Sequence, residues 1–156
     1  MYRVLKSKAI ALIAILVVAV LAAACATAPT QEMSDARQSL QAAHDAGAEK
    51  YATENLRIAE NYLKQAEREL ELRYFARARH DAILARSEAQ KARTVAVTIH
   101  EAVAALEALD DAGRNQPQAR SALQEALEAA EHGKDKSAIR LALEAKRLAE
   151  GEGAGE

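Results

Sequence analysis

The stretch FARARHDAILARSEAQKARTVAVTIHEAVAALEAL, residues 75–109, decides the fold. Within it Ala78, Ala82, Ala85, Ala89, Ala92, Ala96, Ile99, Val103 and Leu106 recur at alternating four- and three-residue spacing. That rhythm keeps one narrow apolar line on a single side of an α-helix, the line a partner helix needs. Neither Gly nor Pro interrupts it. At 1.5 Å per residue the stretch is a rod of roughly 50 Å. Most of the line is alanine, so partner backbones can come close, yet each contact buries little apolar area.

The same rhythm appears just upstream. Leu56, Ala59, Leu63, Ala66 and Leu70 follow the 3-4-3-4 order over about residues 53–72, with Thr53 placed to cap the helix start. A short break at Arg73–Phe75 between two seams predicts an antiparallel hairpin. In heptad terms the residues after each d position are Glu60 and Glu67 in the first arm of the hairpin and Arg79, Arg86, Arg93 and His100 in the second. Antiparallel packing sets e against e, so the expected structural ion pairs are Glu67 with Arg79 and Glu60 with Arg86. Exposed pairs contribute about 0.2–1 kcal/mol each, so they specify register more than they stabilise.

Further out, Met33, Ala36, Leu40 and Ala43 mark a first helix over about residues 31–46, followed by Gly47 as its C-cap. Gly113 and Pro117 end the long helix, and two more helices, about 117–131 and 135–150, meet at Gly133. The glycine-rich residues 151–156 are expected to be a disordered tail. The expectation is one all-α domain over residues 31–150, built as antiparallel, alanine-rich, coiled-coil-like hairpins around one long central helix.

A shift of sixty residues superimposes Leu63 on Leu123, Ala66 on Ala126, Glu71 on Glu131, Ala78 on Ala138, Ala82 on Ala142, Ala85 on Ala145 and Ala89 on Ala149. Gly133 then corresponds to Arg73, so both copies are hairpins turning at the same place. The spacing of Tyr62, Ala66, Phe75, Ala78 and Ala85 resembles the tetratricopeptide repeat, although the second copy lacks the aromatics and no closing Pro comes after it.

The N-terminus has a different composition. Arg3, Lys6 and Lys8 precede the unbroken apolar run Ala9–Ala24, and the chain's one cysteine, Cys25, comes next. Leu21, Ala22, Ala23 and Ala24 supply the small residues that a signal peptidase requires before a cysteine whose thiol accepts lipid. On this reading residues 1–24 are a lipoprotein signal peptide, residues 25–30 a lipidated linker, and the covalent lipid on Cys25 the membrane anchor. Ala26 is not the Asp that signals inner-membrane retention, so the expected destination is the outer membrane, facing the periplasm. The alternative is an uncleaved single span in the inner membrane, since Ala9–Ala26 just reaches the length that crosses a hydrocarbon core of about 30 Å.

Chemistry is sparse. Of 21 basic residues three precede Cys25, and all 23 acidic ones come after it, so the segment from Cys25 onward carries 18 − 23 = −5. Nucleic acid is not an expected partner for such a surface. His44, His80, His100 and His132 show neither Glu-x-x-His nor His-Glu-x-x-His spacing, and Glu128 with His132 is at most a weak surface pair. There is no phosphate-binding glycine loop, and the serines have no histidine at a suggestive spacing. No catalytic residue, metal or cofactor is expected.

Cys25, then Pro29-Thr30, the run Ala36-Arg37-Gln38-Ser39-Leu40-Gln41-Ala42-Ala43, Ala46-Gly47-Ala48-Glu49-Lys50-Tyr51-Ala52, and the turn Tyr74-Phe75-Ala76-Arg77-Ala78 together resemble the DUF4398 domain of bacterial envelope lipoproteins. The resemblance implies a periplasm-facing helical lipoprotein and brings no catalytic residues. Members of that family often continue into an OmpA-like peptidoglycan-binding domain, in whose place this chain has two further helices.

The function these features point to is a non-enzymatic, lipid-anchored scaffold or adaptor that binds an envelope protein. Val95, Val97, Ile99 and Val103 are candidates for its partner groove, with burial against the last two helices as the competing reading. The alternatives are a structural coiled-coil spacer, for which a homo-oligomer is expected, and an inner-membrane accessory subunit if Cys25 is not processed.

Overall fold

The computed structural model describes residues 27–112 and 116–151. The signal segment with Leu21, Ala22, Ala23, Ala24 and Cys25, the loop at Gly113 and the tail beyond Gly151 lie outside the described residues. Among the described residues six helices run in order: α1 (Thr30–Asp45), α2 (Ala48–Tyr51), α3 (Thr53–Glu71), α4 (Phe75–Asp111), α5 (Pro117–Glu131) and α6 (Asp135–Glu150). The described residues contain no strand. The single turn α2 has no counterpart in the periodicity of the sequence.

α4 is the spine. Its 37 residues make a helix of about 55 Å, and each of the other five helices packs against it. The seam alanines Ala78, Ala82, Ala85, Ala89, Ala92 and Ala96 are all buried, with Ile99 and Leu106 beyond them. On a second line at seven-residue spacing Asp81, Val95, Ala102 and Leu109 are buried as well, with Glu88 half-buried between the first two. This is the g line of the heptad, which pairing with one helix alone would leave wet. α4 has neighbours on more than one side, so more than one line of it is covered.

Along the N-terminal half of α4 lie α1, parallel to it, and α3, antiparallel. Along the C-terminal half lie α5 and α6. Ala43, Ala48, Tyr51, Leu56 and Ala59 from the first half share one core with Ala126, Ala130, Ala138, Ala142 and Ala145 from the second, joined through Ala92, Val95, Ala96 and Ile99 of α4. A smaller cluster of Met33, Ala36, Leu63, Ala66, Ala82 and Ala85 fills the N-terminal end. Leu106, Leu109, Ala119 and Ala149 close the other. Where the halves abut, Asn55 Nδ2 of α3 donates to Asp135 Oδ2 in the first turn of α6 at 3.1 Å. That carboxylate also sits in the favourable field of its own helix N-terminus.

The sixty-residue repeat extends to the backbone of the turns. Arg73 and Gly133 both adopt left-handed conformations, at φ 62° and 64°. Tyr74 N–H donates to the Glu69 carbonyl at 2.8 Å and Arg73 N–H to that of Leu70 at 3.0 Å. Sixty residues on, Lys134 N–H donates to Ala129 at 2.8 Å and Gly133 N–H to Ala130 at 3.0 Å. Both are Schellman caps, one with glycine at the left-handed position and one with arginine. Gly47 ends α1 in the same region, at φ 79°.

The structure departs from two expectations of the sequence. Thr53 does not cap α3 with its side chain: its hydroxyl donates back to the Glu49 carbonyl at 3.0 Å, because α2 supplies a free carbonyl one turn earlier. The expected Glu67–Arg79 and Glu60–Arg86 pairs are not the ones formed. Arg79 Nε binds Glu32 at 2.7 Å and Arg86 Nη1 binds Asp35 at 3.2 Å, while Glu67 receives Arg37 at 2.9 Å and Glu60 faces His44 at 3.4 Å. α1 lies over the e positions of both hairpin helices and takes each of these charges for itself.

The two turns make a matched test. Replacing Arg73 with Gly should stabilise the fold by about 0.5–1 kcal/mol, the relieved left-handed strain less the added freedom of the unfolded chain. Gly133→Ala should cost about 1 kcal/mol. A Cβ there would meet Glu54 Cγ only at 3.7 Å, so the cost is conformational, not steric. Urea denaturation of the two variants measures both.

Candidate functional site

No group of three or more His, Cys, Asp or Glu side chains is placed to hold a metal among the described residues. His44 has its Nδ1 3.0 Å from Glu49 and its Nε2 3.4 Å from Glu60, so it fastens the end of α1 to α2 and α3. His80 Nδ1 lies 2.9 Å from the carboxylate of neighbouring Asp81. The His100 ring stands 6.3 Å from that of Tyr51, a packing contact between α4 and α2. His132 is exposed in the second turn.

The valine groove resolves residue by residue. Val95 and Ile99 are fully buried, and Val103 is half-buried against the same core. Val95 and Ile99 belong to the packing of α4, while Val103 lines a shallow groove with Leu106 of α4 and Leu123 and Leu127 of α5. Val97 alone is open, at 39 % exposure. Beside it the Thr94 and Thr98 hydroxyls donate to the carbonyls of Gln90 and Thr94, at 2.9 and 2.8 Å.

Sequence reasoning missed an apolar feature on the outer side of α6. Ile139 and the 51 % exposed Leu143 lie one turn apart and are edged by Lys136, Arg140, Glu144 and Arg147. Arg147 binds Glu144 at 2.6 Å, and that hydrogen bond holds the Glu144 carboxyl below its ordinary range. The signal was present: Ala138, Ala142, Ala145 and Ala149 complete the inward seam, so the larger Leu143 is surplus to it and Ile139 is half-buried at its edge. An apolar pair edged by charged side chains fits a helix or extended segment of another protein.

The charged contacts between α1 and α4 are the other organised polar feature. Glu32 has its carboxyl held below the ordinary glutamate value of 4.5, first by its own backbone N–H near the helix start and then by the Arg79 guanidinium. Arg79 Nη2 also donates to the carbonyl of Thr27 at 3.2 Å, so one arginine grips both α1 and the chain leading into it.

These observations define the class as an all-α bundle on a shared spine helix. A family model described as a domain of unknown function, DUF4398, matches residues 31–108, half of the 156-residue chain. The chain belongs to that family. The match spans α1 to nearly the end of α4 and stops before α5 and α6. No curated protein and no solved structure matches the chain.

A carboxyl whose folded pKa is lowered adds stability above its ordinary pKa and loses it as pH falls through the lowered value. Amides of α1 should therefore lose hydrogen-exchange protection as pH drops below 4.5. Glu32→Gln should show the weaker protection already at neutral pH and respond less to acid.

Proposed function

We propose that the chain is a lipid-anchored helical scaffold of the bacterial envelope, facing the periplasm and binding a protein partner without catalysing a reaction. The observation that carries this reading is the order Arg3, Lys6, Lys8, the apolar run Ala9–Ala24, and then Cys25 with Leu21, Ala22, Ala23 and Ala24 before it. A signal of this kind exports the downstream chain and attaches acyl groups to the cysteine. The destination read from Ala26 is the outer membrane.

The helical part supports a scaffold in two ways. Its core is a line of alanines along one long helix, which favours a stiff rod over a body hollowed for a substrate. It also keeps Leu143 of α6 exposed beside the half-buried Ile139, the side we assign to an envelope protein partner. Membrane attachment comes from the lipid on Cys25, with no cofactor.

Intact mass of the protein extracted from membranes of its host tests the reading. A chain starting at Cys25 with added acyl mass is expected, and Cys25→Ser should abolish that mass and release the protein from the membrane fraction. A chain still starting at Met1 and unmodified would contradict lipidation and replace it with a spanning anchor.

A further inference from the structure

Identical turns at Arg73 and Gly133 carry different chemistry. The second turn is built from His132, Gly133 and Lys134, all polar or without a side chain. The first is Leu72, Arg73 and Tyr74, with Leu72 62 % and Tyr74 53 % exposed, the two most exposed large apolar side chains among the described residues. The backbone hydrogen bonds match, so the turn itself does not demand Leu and Tyr. A Schellman cap often packs its last residue against the third residue from the helix end. Here that position is Glu69, whose carbonyl takes the Tyr74 N–H, so Tyr74 has no apolar partner there.

Location gives these side chains a use. α1 runs parallel to α4 with Glu32 on Arg79 and Asp35 on Arg86, so the start of α1 lies at the Phe75 end of α4, next to the Leu72–Tyr74 turn. Arg79 holds the Thr27 carbonyl at this same end. Two residues of chain span at most about 7 Å, so an acyl group on Cys25 would start beside Thr27. Arg68, Arg73 and Arg77 are exposed here and outnumber Glu69 and Glu71, in a chain whose segment from Cys25 onward is net acidic. The Arg77 guanidinium lies 5.6 Å from the Tyr74 ring. A tyrosine, a leucine and arginine forks at one exposed end suit the headgroup layer of a bilayer, where the rings and methyls enter the boundary and guanidinium groups bind lipid phosphate.

We infer that the Leu72–Arg73–Tyr74 turn is a second membrane contact, seated in the phospholipid headgroup layer next to the lipid anchor, so that α4 stands up from the surface. This rests on the lipid-anchored reading above. One attachment point lets a rod pivot, whereas an anchor plus a turn fixes its tilt and presents α6 away from the bilayer.

The chain contains no tryptophan, so Tyr74→Trp provides a single fluorophore at the turn and Val97→Trp one midway along α4. Full-length protein extracted from host membranes would be reconstituted into vesicles of phosphatidylethanolamine and phosphatidylglycerol, with and without brominated acyl chains. Circular dichroism checks the fold, and Leu72→Trp replaces Tyr74→Trp if that variant fails to fold. Blue-shifted emission quenched by brominated lipid at the turn, with solvent-like unquenched emission at position 97, is the expected result. Quenching at both positions would mean a rod lying flat and would overturn the inference. Quenching at neither, in protein that floats with the vesicles, would overturn it while leaving the anchor intact. Protein that does not float would remove the anchor and the inference together.

Discussion

The line of small side chains on α4 is the constraint on which the other helices depend. Alanine at Ala78, Ala82, Ala85, Ala89, Ala92 and Ala96 lets neighbouring helices approach toward the short end of the usual 8–10 Å separation. Close approach brings backbones into dispersion contact, but an alanine removes little apolar surface from water. The deficit is met by a few large residues at fixed places: Met33 and Leu63 at one end, Tyr51, Leu56, Val95 and Ile99 in the middle, Leu106 and Leu109 at the other. Seam positions reserved for alanine push other large side chains outward, which is why Ile83, Val97 and Leu143 are exposed on helices whose inner faces are full.

The same closeness explains the charges. Two helices in contact along alanines leave a furrow on one side, and α1 fills it with Met33, Ala36 and Ala43 buried. It carries Glu32 and Asp35 toward the arginines of α4 and Arg37 and His44 toward the glutamates of α3. A helix with acids on one flank and bases on the other fits that furrow in one orientation. The ion pairs thereby select α1's direction and register, a larger role than their small individual energies suggest.

The all-α architecture, the long central helix and the sixty-residue repeat were legible because each rests on local rules: a 3.5-residue apolar period, a left-handed cap, a proline at a helix start. What was not legible depends on how many neighbours a helix has. The e-position charges read correctly as paired, but with the wrong partners, since heptad logic for two helices contains no α1. Val95 stood as a groove candidate beside the reading that it is core, and it is core: the period assigns one seam, whereas α4 buries two. The α2 turn was invisible because four residues, Ala48 to Tyr51, are too few to show a period. Ile139 and Leu143 carry no distinct signal of their own, because apolar residues beside a seam look like part of it until the seam is seen to be complete.

The DUF4398 match ends within α4, while the core runs past it into α5 and α6. In this chain the second hairpin covers Ile99, Ala102 and Leu106 and so completes the outer half of the spine. The scaffold reading needs that coupling, because a rod can present α6 at a defined distance from its anchor only if α4 carries both halves as one body. Ala96, fully buried between them, is the place to test it. Native-state hydrogen exchange on Ala96→Leu, where overpacking costs about 1–3 kcal/mol, compares the damage in α1 and α3 with that in α5 and α6. A shared spine predicts comparable loss of protection on both sides; loss confined to one side, with the other keeping wild-type protection, would contradict it.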